Sequence, residues 1–241
     1  MRLDSVRILS FSGVDGAGKS TQISALCTYL RELGFQCAVY TFWDNVAVLS
    51  RLREHMSLKA FKGDPGIGSP DRPIQRRDKN VSSWYMTAVR LFFYLLDTFS
   101  LCAAVARSVD SGADFVIFDR YIYDEFANLP LQYWPVRLYI RILLMLVPRP
   151  DVAFVLDADP KAAFARKPEY PVEFVRQNRN VYLRLSRLIR SLTVIPPLPV
   201  KQAIETVKES VDEKCLAVKI GSLSLGIPCQ VPSQAVKSSH S

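Results

Sequence analysis

The chain has 241 residues, a formal net charge of +8, and hydrophobic and charged fractions of 49% and 22%. This composition is typical of a globular protein and excludes a disordered, collagen-like or coiled-coil chain. The five cysteines include no CxxC pair, and two histidines, His55 and His240, are too few to support a histidine triad or a histidine-ligated zinc site. We therefore expect reduced thiols in a cytoplasmic protein.

The positive charge is compatible with a nucleic acid, a membrane surface, a phosphorylated small molecule or a solvated basic surface. No basic run is dense enough to predict nucleic-acid binding. The apolar stretches 89–106 and 138–147 contain Arg90, Asp97 and Arg141. Because a membrane span needs about 20 mostly apolar residues, we expect buried helices and no membrane partner. Residues 1–12 read as a polar lead into a strand, not as a signal peptide.

Strand-like and helix-like segments alternate along the chain. The predicted order is strand 6–12, helix 20–33, strand 37–43, helix 46–58, helix 82–109, strand 115–119, helix 135–147, strand 152–157, helices 161–167 and 172–191, strand 192–195 and helix 201–218. Segment 62–80, which carries Arg72, Arg76 and Arg77, predicts a long basic loop, and 219–241 a flexible tail. Five strands separated by helices predict one α/β domain over 1–218, a parallel sheet with helices on both faces, and ligands beyond the carboxyl ends of the strands.

The strongest motif is GVDGAGKS at 13–20, followed by Thr21. It fits the phosphate-binding P-loop, in which glycines let backbone N–H groups face a phosphate. Lys19 should reach the β- and γ-phosphates of a nucleotide, and Ser20 should hold Mg²⁺. The predicted ATP-binding residues are Gly13, Val14, Asp15, Gly16, Ala17, Gly18, Lys19, Ser20 and Thr21.

Asp119, Arg120 and Tyr121 directly follow the predicted strand 115–119. An acidic residue at this point is where a P-loop enzyme places its second contact to Mg²⁺, so Asp119 joins Ser20 as a predicted metal residue. Arg120 could bind a phosphoryl group in a bidentate manner. The alternative is an ion pair at the strand end.

A third set of residues predicts a mobile lid over about 166–179. Arg166 and Lys167 end a short helix that Asp159 and Pro160 begin, and Arg176 follows. Mobile arginines can bring positive charge onto a transferring phosphoryl group. Alternatively, these cations only complement the carboxyl end of a helix.

The segments FSGVDGAGKST, FDRYIYD and LDADP…ARK, in this order, resemble the thymidylate kinase family over roughly residues 6–216. The resemblance implies a three-layer P-loop kinase fold with strand order 2-3-1-4-5, and transfer from ATP with Mg²⁺ to a monophosphate. With Gly16 inside the P-loop, it assigns the catalytic arginine to the lid, at Arg166. It places Asp15 at the acceptor sugar and Arg120 at the acceptor phosphate. The implied catalytic residues are Lys19, Asp119, Arg120 and Arg166.

The acceptor side departs from the family pattern. Residues 40–44 carry no arginine where the family has a TREPG-like motif. Phe93 could be the aromatic residue over the base, but Asp97 stands where the family has an arginine, and Asp124 replaces a serine. Together with these features, the resemblance predicts acceptor contacts from Asp15, Phe93, Asp97, Arg120 and Tyr121. The basic loop 62–80 could supply the missing charge.

Three functions remain open from the sequence. The first is an ATP- and Mg²⁺-dependent thymidylate kinase or another nucleoside monophosphate kinase. The second is a kinase for a nucleoside or sugar, which would need a base such as Asp119 or Asp15. The third is a weakly active nucleotide-binding regulatory module. A homodimer through the helices around Phe92 and Leu143 is also possible.

Overall fold

The computed structural model of the chain describes residues 5–47, 84–127 and 129–216. The predicted helix 46–58 lies almost wholly outside the described residues. The basic loop 62–80 and the tail 219–241 lie wholly outside them.

The centre of the fold is a parallel sheet of five strands in the order β2-β3-β1-β4-β5, which confirms the predicted sheet and its order. The strands are β1 (Arg7–Gly13), β2 (Cys37–Thr41), β3 (Phe115–Asp119), β4 (Val152–Leu156) and β5 (Leu192–Ile195). The helices are α1 (Lys19–Glu32), α2 (Trp84–Asp110), α3 (Ile122–Phe126), α4 (Trp134–Leu146), α5 (Pro160–Arg166), α6 (Val172–Leu188) and α7 (Val200–Val211).

Side chains alternate across the sheet, so each strand contributes to two hydrophobic layers. Leu9 and Phe11 of β1 point to the layer formed with α1 and α7, where Leu26 and Val207 are buried. Ile8 points to the opposite layer, which is built with α2, α3, α4 and α6. Because both faces are covered, β3 and β4 are almost continuously apolar and buried. This pattern made them recognisable in the sequence.

Short segments differ from the sequence prediction, among them the end of β2 and the helix α3. Strand β2 ends at Thr41 instead of residue 43, because Phe42–Val46 form a π-helical turn. The turn is held by the Asn45 side chain, which accepts a hydrogen bond from the backbone N–H of Thr41 at 2.8 Å. Helix α3 was not predicted, since five residues are too few for a helical periodicity to show.

One helical stretch, Leu91–Asp110, is long and apolar enough by length and composition to cross a membrane. A core helix of a soluble protein passes the same test. Asp97 and Thr98, near the middle of α2, are buried within the protein, and the Tyr139 hydroxyl of α4 donates a hydrogen bond to the carbonyl of Leu91. Of the two residues named for a possible dimer, Phe92 is exposed and Leu143 lies in the core. The homodimer stays a prediction.

Candidate phosphoryl-transfer site

The P-loop connects the carboxyl end of β1 to the first residue of α1, Lys19. Gly13, Gly16 and Gly18 all have positive φ, at 141°, 80° and 91°. At Gly16 a Cβ atom would lie 2.3 Å from the backbone oxygen of Ala163 in α5. The loop therefore needs glycine at this position both for its backbone conformation and for the close approach of α5.

Lys19 is only 8% exposed, and its ammonium group donates hydrogen bonds to the backbone oxygens of Gly13 and Val14, each at 3.0 Å. Burial, and next the nearby Arg120 guanidinium, lower the pKa of Lys19 to about 8. The carboxylates of Asp15, Asp124 and Asp119 act in the opposite direction. Lys19 is thus a charged donor at neutral pH, held on the loop whose backbone N–H groups favour anions.

Asp119 ends β3, in register with Phe11 of β1 and Thr41 of β2. Its Oδ1 atom is buried and accepts no hydrogen bond within the described part of the chain. A buried carboxylate oxygen without a donor fits a cation ligand, since leaving such an oxygen unpaired costs free energy. No group of three or more His, Cys, Asp or Glu side chains suited to a metal occurs in the described ranges. Mg²⁺ in phosphoryl-transfer sites commonly takes only one or two protein carboxylates, together with substrate phosphates.

Arg120 follows Asp119 and is the only non-glycine residue with positive φ in the described ranges, at 69°. Its backbone N–H donates to the Phe11 oxygen at 2.9 Å, which extends the pairing of β3 with β1. The side chain contacts two carboxylates: Nη2 donates to Asp15 of the P-loop, and Nη1 donates to Asp124 of α3 at 3.2 Å. Burial alone would lower the pKa of Arg120, but Asp124, Tyr182 and Asp15 more than offset it and raise this pKa. The Arg120 guanidinium therefore stays positively charged.

Asp124 is a site residue that is visible in the sequence only as a departure from a family pattern. It is buried, and it accepts hydrogen bonds from Ser12 Oγ at 2.5 Å and from the Tyr182 hydroxyl at 2.6 Å. The spacing of four residues between Arg120 and Asp124 was the one local signal for an ion pair. Neither Ser12 nor Tyr182 could be connected to Asp124 by spacing.

The segment predicted as a lid contains parts of two helices. Arg166, at the end of α5, is exposed, and its Nε donates to the Ala162 oxygen in the same helix. The adjacent Lys167 lies nearer to the P-loop, with Nζ 3.9 Å from Asp15 and 3.2 Å from Glu169. In α6, Arg179 forms a bidentate pair with Asp157, at 2.6 and 2.7 Å. In this arrangement Lys167 lies within ion-pair distance of the P-loop residue Asp15.

The remaining predicted acceptor residues lie in or near α2 and in the core. Tyr121 is fully buried, and its hydroxyl donates to the Pro148 oxygen at 2.5 Å, away from Arg120's carboxylate partners. Phe93 is partly buried, and Asp97 is fully buried. The structure brings Asp15, Lys19, Asp119 and Arg120 together. The Tyr121 side chain lies in the core instead, although its backbone N–H donates to Asp124 at 3.2 Å.

Comparisons with known proteins give relatives in both sequence and fold. The chain is 28% identical over 183 residues to a protein named probable thymidylate kinase from Pyrobaculum aerophilum, which covers 73% of this chain and 80% of that protein. It is 27% identical over 165 residues to a thymidylate kinase from Dinoroseobacter shibae, which covers 66% and 68%. No family model matches.

The crystal structure of a thymidylate kinase from Ehrlichia chaffeensis has the same fold, with a TM-score of 0.55 at 18% identity. The match covers 86% of this chain and 99% of that one. The strand order, the P-loop between β1 and α1, and the acidic end of β3 are all in place in the structure described here. Sequence and fold together show the chain to be a divergent thymidylate-kinase-like protein.

Proposed function

We propose that this protein transfers the γ-phosphoryl group of ATP to a nucleoside monophosphate, with dTMP as the first candidate acceptor. A nucleotide kinase function is supported by the two sequence relatives, both of which are named thymidylate kinases. That the acceptor is dTMP and the product dTDP is our proposal for this chain.

The observation that carries the proposal is the contact between Arg120 and the P-loop residue Asp15. It places a charged guanidinium at the end of β3, beside the loop that carries Lys19. Phosphoryl transfer requires positive charge on both the donor and the acceptor phosphates, because the transition state spreads negative charge over several oxygens. Lys19 is suited to the donor phosphates and Arg120 to the acceptor phosphate.

The reaction requires few other groups from the protein. A phosphate oxygen of the acceptor is already a nucleophile, so no general base is required. Asp15 and Asp124 keep the Arg120 guanidinium oriented before the acceptor arrives. Ser20 and Asp119 would hold Mg²⁺, which would neutralise charge on the phosphates of ATP. Lys167 and Arg166 at the end of α5 are the nearest candidates for charge that closes over the transferring group.

One observation favours a different acceptor for the same phosphoryl transfer. Asp97 is fully buried in the middle of α2, and with burial it contributes to raising the pKa of Tyr139 to about 12. A buried carboxylate stands where the resemblance leads us to expect an arginine that reads thymine. Another nucleoside monophosphate, a nucleoside or a sugar is therefore the second candidate acceptor.

The proposal is tested by ADP release from ATP and Mg²⁺, measured separately with dTMP, the other nucleoside monophosphates, nucleosides and sugars. We expect ADP release that depends on dTMP, with dTDP as the product. ADP release with a different acceptor would support ATP as the phosphoryl donor and would show that dTMP is not the acceptor. Binding of ATP with almost no ADP release, whichever acceptor is added, would favour the regulatory module instead.

The control is Lys19→Met, which removes the ammonium group while keeping a long side chain. Acceptor-dependent ADP release should fall at least about 100-fold in this variant, since the charge on the transferring phosphoryl group loses its partner. Equal release from both proteins would show that a contaminating enzyme, and not this site, produces the ADP.

A further inference from the structure

The buried carboxylate of Asp124 accepts four hydrogen bonds from three parts of the chain. It accepts hydrogen bonds from Ser12 Oγ of β1 at 2.5 Å and from the Tyr182 hydroxyl of α6 at 2.6 Å. The backbone N–H of Tyr121 adds a third at 3.2 Å, and Arg120 Nη1 a fourth, also at 3.2 Å. Asp124 itself lies in the first turn of α3, where a negative charge is favourable.

Asp124 is more deeply buried than Asp15, the other carboxylate that Arg120 contacts. The Asp124 side chain is 4% exposed, whereas the side chain of Asp15 is 23% exposed. Asp124 is held between the sheet and α6 by donors that do not depend on Arg120. Asp15 lies in the P-loop between two cations, Arg120 and, at 3.9 Å, Lys167.

We propose that Asp124 is a positioning residue: it anchors the Arg120 guanidinium, so that an acceptor phosphate displaces Asp15 and not Asp124. The part that concerns the acceptor phosphate rests on the proposed function. The anchoring itself does not, because it follows from the contacts of Ser12, Tyr182 and Arg120 with one buried carboxylate. The spacing of Arg120 and Asp124 indicates an ion pair, but no spacing in the sequence connects Ser12 or Tyr182 to Asp124.

Because Asp124 is buried, both of its carboxylate oxygens need hydrogen-bond donors from the protein. A buried carboxylate is stable only when charged and hydrogen-bonded partners surround it, and removal of one partner leaves a large penalty. Asn at position 124 keeps the size of the side chain, but it loses the charge and presents an amide N–H₂ to donors. Arg120 Nη1 donates to Oδ1 and the Tyr121 N–H to Oδ2, so whichever way the amide turns, its nitrogen faces one of these N–H groups. In both orientations Arg120 loses the negative charge that anchors it.

The first experiment is a double-mutant cycle in urea unfolding with Arg120→Ala, Asp124→Asn and the double variant. Asp124→Asn should lower the urea midpoint of the wild type. In the Arg120→Ala background it should lower the midpoint by less than half as much, or raise it, because the partner charge is gone. The control is Asp114→Asn, a buried aspartate at the start of β3 that accepts from the Gln36 backbone N–H at 2.9 Å. Its effect should be equal in both backgrounds. An equal effect of Asp124→Asn in both backgrounds would overturn the proposal.

The second experiment is the same cycle in steady-state kinetics with the acceptor that the wild type uses. Asp124→Asn should raise the KM for the acceptor at least tenfold and change the KM for ATP less than twofold. With Arg120→Ala already present, it should add nothing. A lower kcat with both KM values unchanged, in both backgrounds, would indicate a smaller folded fraction and would refute the positioning role.

The two experiments separate this inference from the proposed function. If the wild type transfers phosphate to no acceptor, the proposed function is wrong, and the urea cycle still decides whether Asp124 anchors Arg120. If Asp124→Asn does not fold, Asp124→Ser replaces it in both cycles, since serine retains one acceptor without the charge.

Discussion

The α-carbon of Gly16 faces the backbone oxygen of Ala163 so closely that a Cβ atom would come within 2.3 Å of it. Ala163 belongs to α5, the helix that ends at Arg166, and Gly16 lies inside the P-loop. The resemblance to the thymidylate kinase family allows an arginine at the position of Gly16. In this protein a side chain there would push α5 away from the loop.

Gly16→Ala should therefore cost more stability than a positive φ alone explains. The strain of a positive φ in alanine is about 1–2 kcal/mol, and the contact with a backbone oxygen adds to it. Gly34→Ala is the matched control, because Gly34 has φ +87° and nothing within 4 Å of a Cβ atom. The free energy of unfolding in urea should fall further for Gly16→Ala than for Gly34→Ala. Equal losses would mean that α5 moves aside without cost.

Lys19 should make the stability of the protein rise with pH in the alkaline range. Its pKa is lowered from 10.5 to about 8 by burial. Below about pH 8 the lysine is charged in both states. Between these two values the unfolded chain holds a proton that the folded protein has lost, so stability rises with pH. The full effect is roughly 3 kcal/mol at 1.36 kcal/mol per unit.

This prediction is measured as a difference between wild type and Lys19→Met, because tyrosines and cysteines titrate in the same range. Urea unfolding at about pH 7.5 and about pH 10 should show the wild type gaining stability relative to the variant. A difference that stays constant over this range would show that the folded protein does not lower the pKa of Lys19.

Asp119→Asn should raise the Mg²⁺ concentration that the reaction requires without lowering the stability of the protein. The buried Oδ1 atom of Asp119 accepts no hydrogen bond in the described residues, so it is desolvated without a donor, and only the weak attraction of the carboxylate to Lys19 and Arg120 offsets this cost. The variant should be as stable as the wild type or more stable, by up to about 1–3 kcal/mol. The Mg²⁺ concentration for half-maximal ADP release should rise at least about tenfold.

The control for this variant is Asp114→Asn at the other end of β3. Asp114 accepts a hydrogen bond from the Gln36 backbone N–H at 2.9 Å, so its replacement should lower stability and leave the Mg²⁺ requirement unchanged. A large loss of stability in Asp119→Asn would mean that Asp119 has a structural role.

Arg166 remains the predicted lid arginine, although its Nε donates to the Ala162 oxygen of its own helix in this structure. Arg166→Ala should lower kcat by about 100-fold if it meets the transferring phosphoryl group, with the affinity for ATP unchanged. Arg187→Ala is the matched control, because Arg187 is an exposed arginine of α6 that lies outside the predicted lid. If Lys167→Ala lowers kcat and Arg166→Ala does not, the role belongs to Lys167.

The sheet was predictable from the sequence because its central strands are buried on both faces. Phe115–Asp119 and Val152–Leu156 read as short apolar runs, and the structure places strands there with shifts of one residue or less. The ends of β2 and α7 were harder to predict, since π-helical turns follow them at Phe42–Val46 and Asp212–Leu216. Such turns depend on local contacts that secondary-structure propensities do not describe. Tyr121 was expected at the acceptor, but its ring packs into the core beside Phe118.

The sequence by itself determined the P-loop, the acidic end of β3 and the resemblance that rests on them, because each is encoded in a short run of neighbouring residues. The anchoring of Arg120 was decided only by the tertiary structure. Asp124 meets Ser12 from 112 positions away and Tyr182 from 58 positions away. Parallel crossovers bring these residues to one edge of the sheet, and burial then requires that the polar groups there satisfy one another.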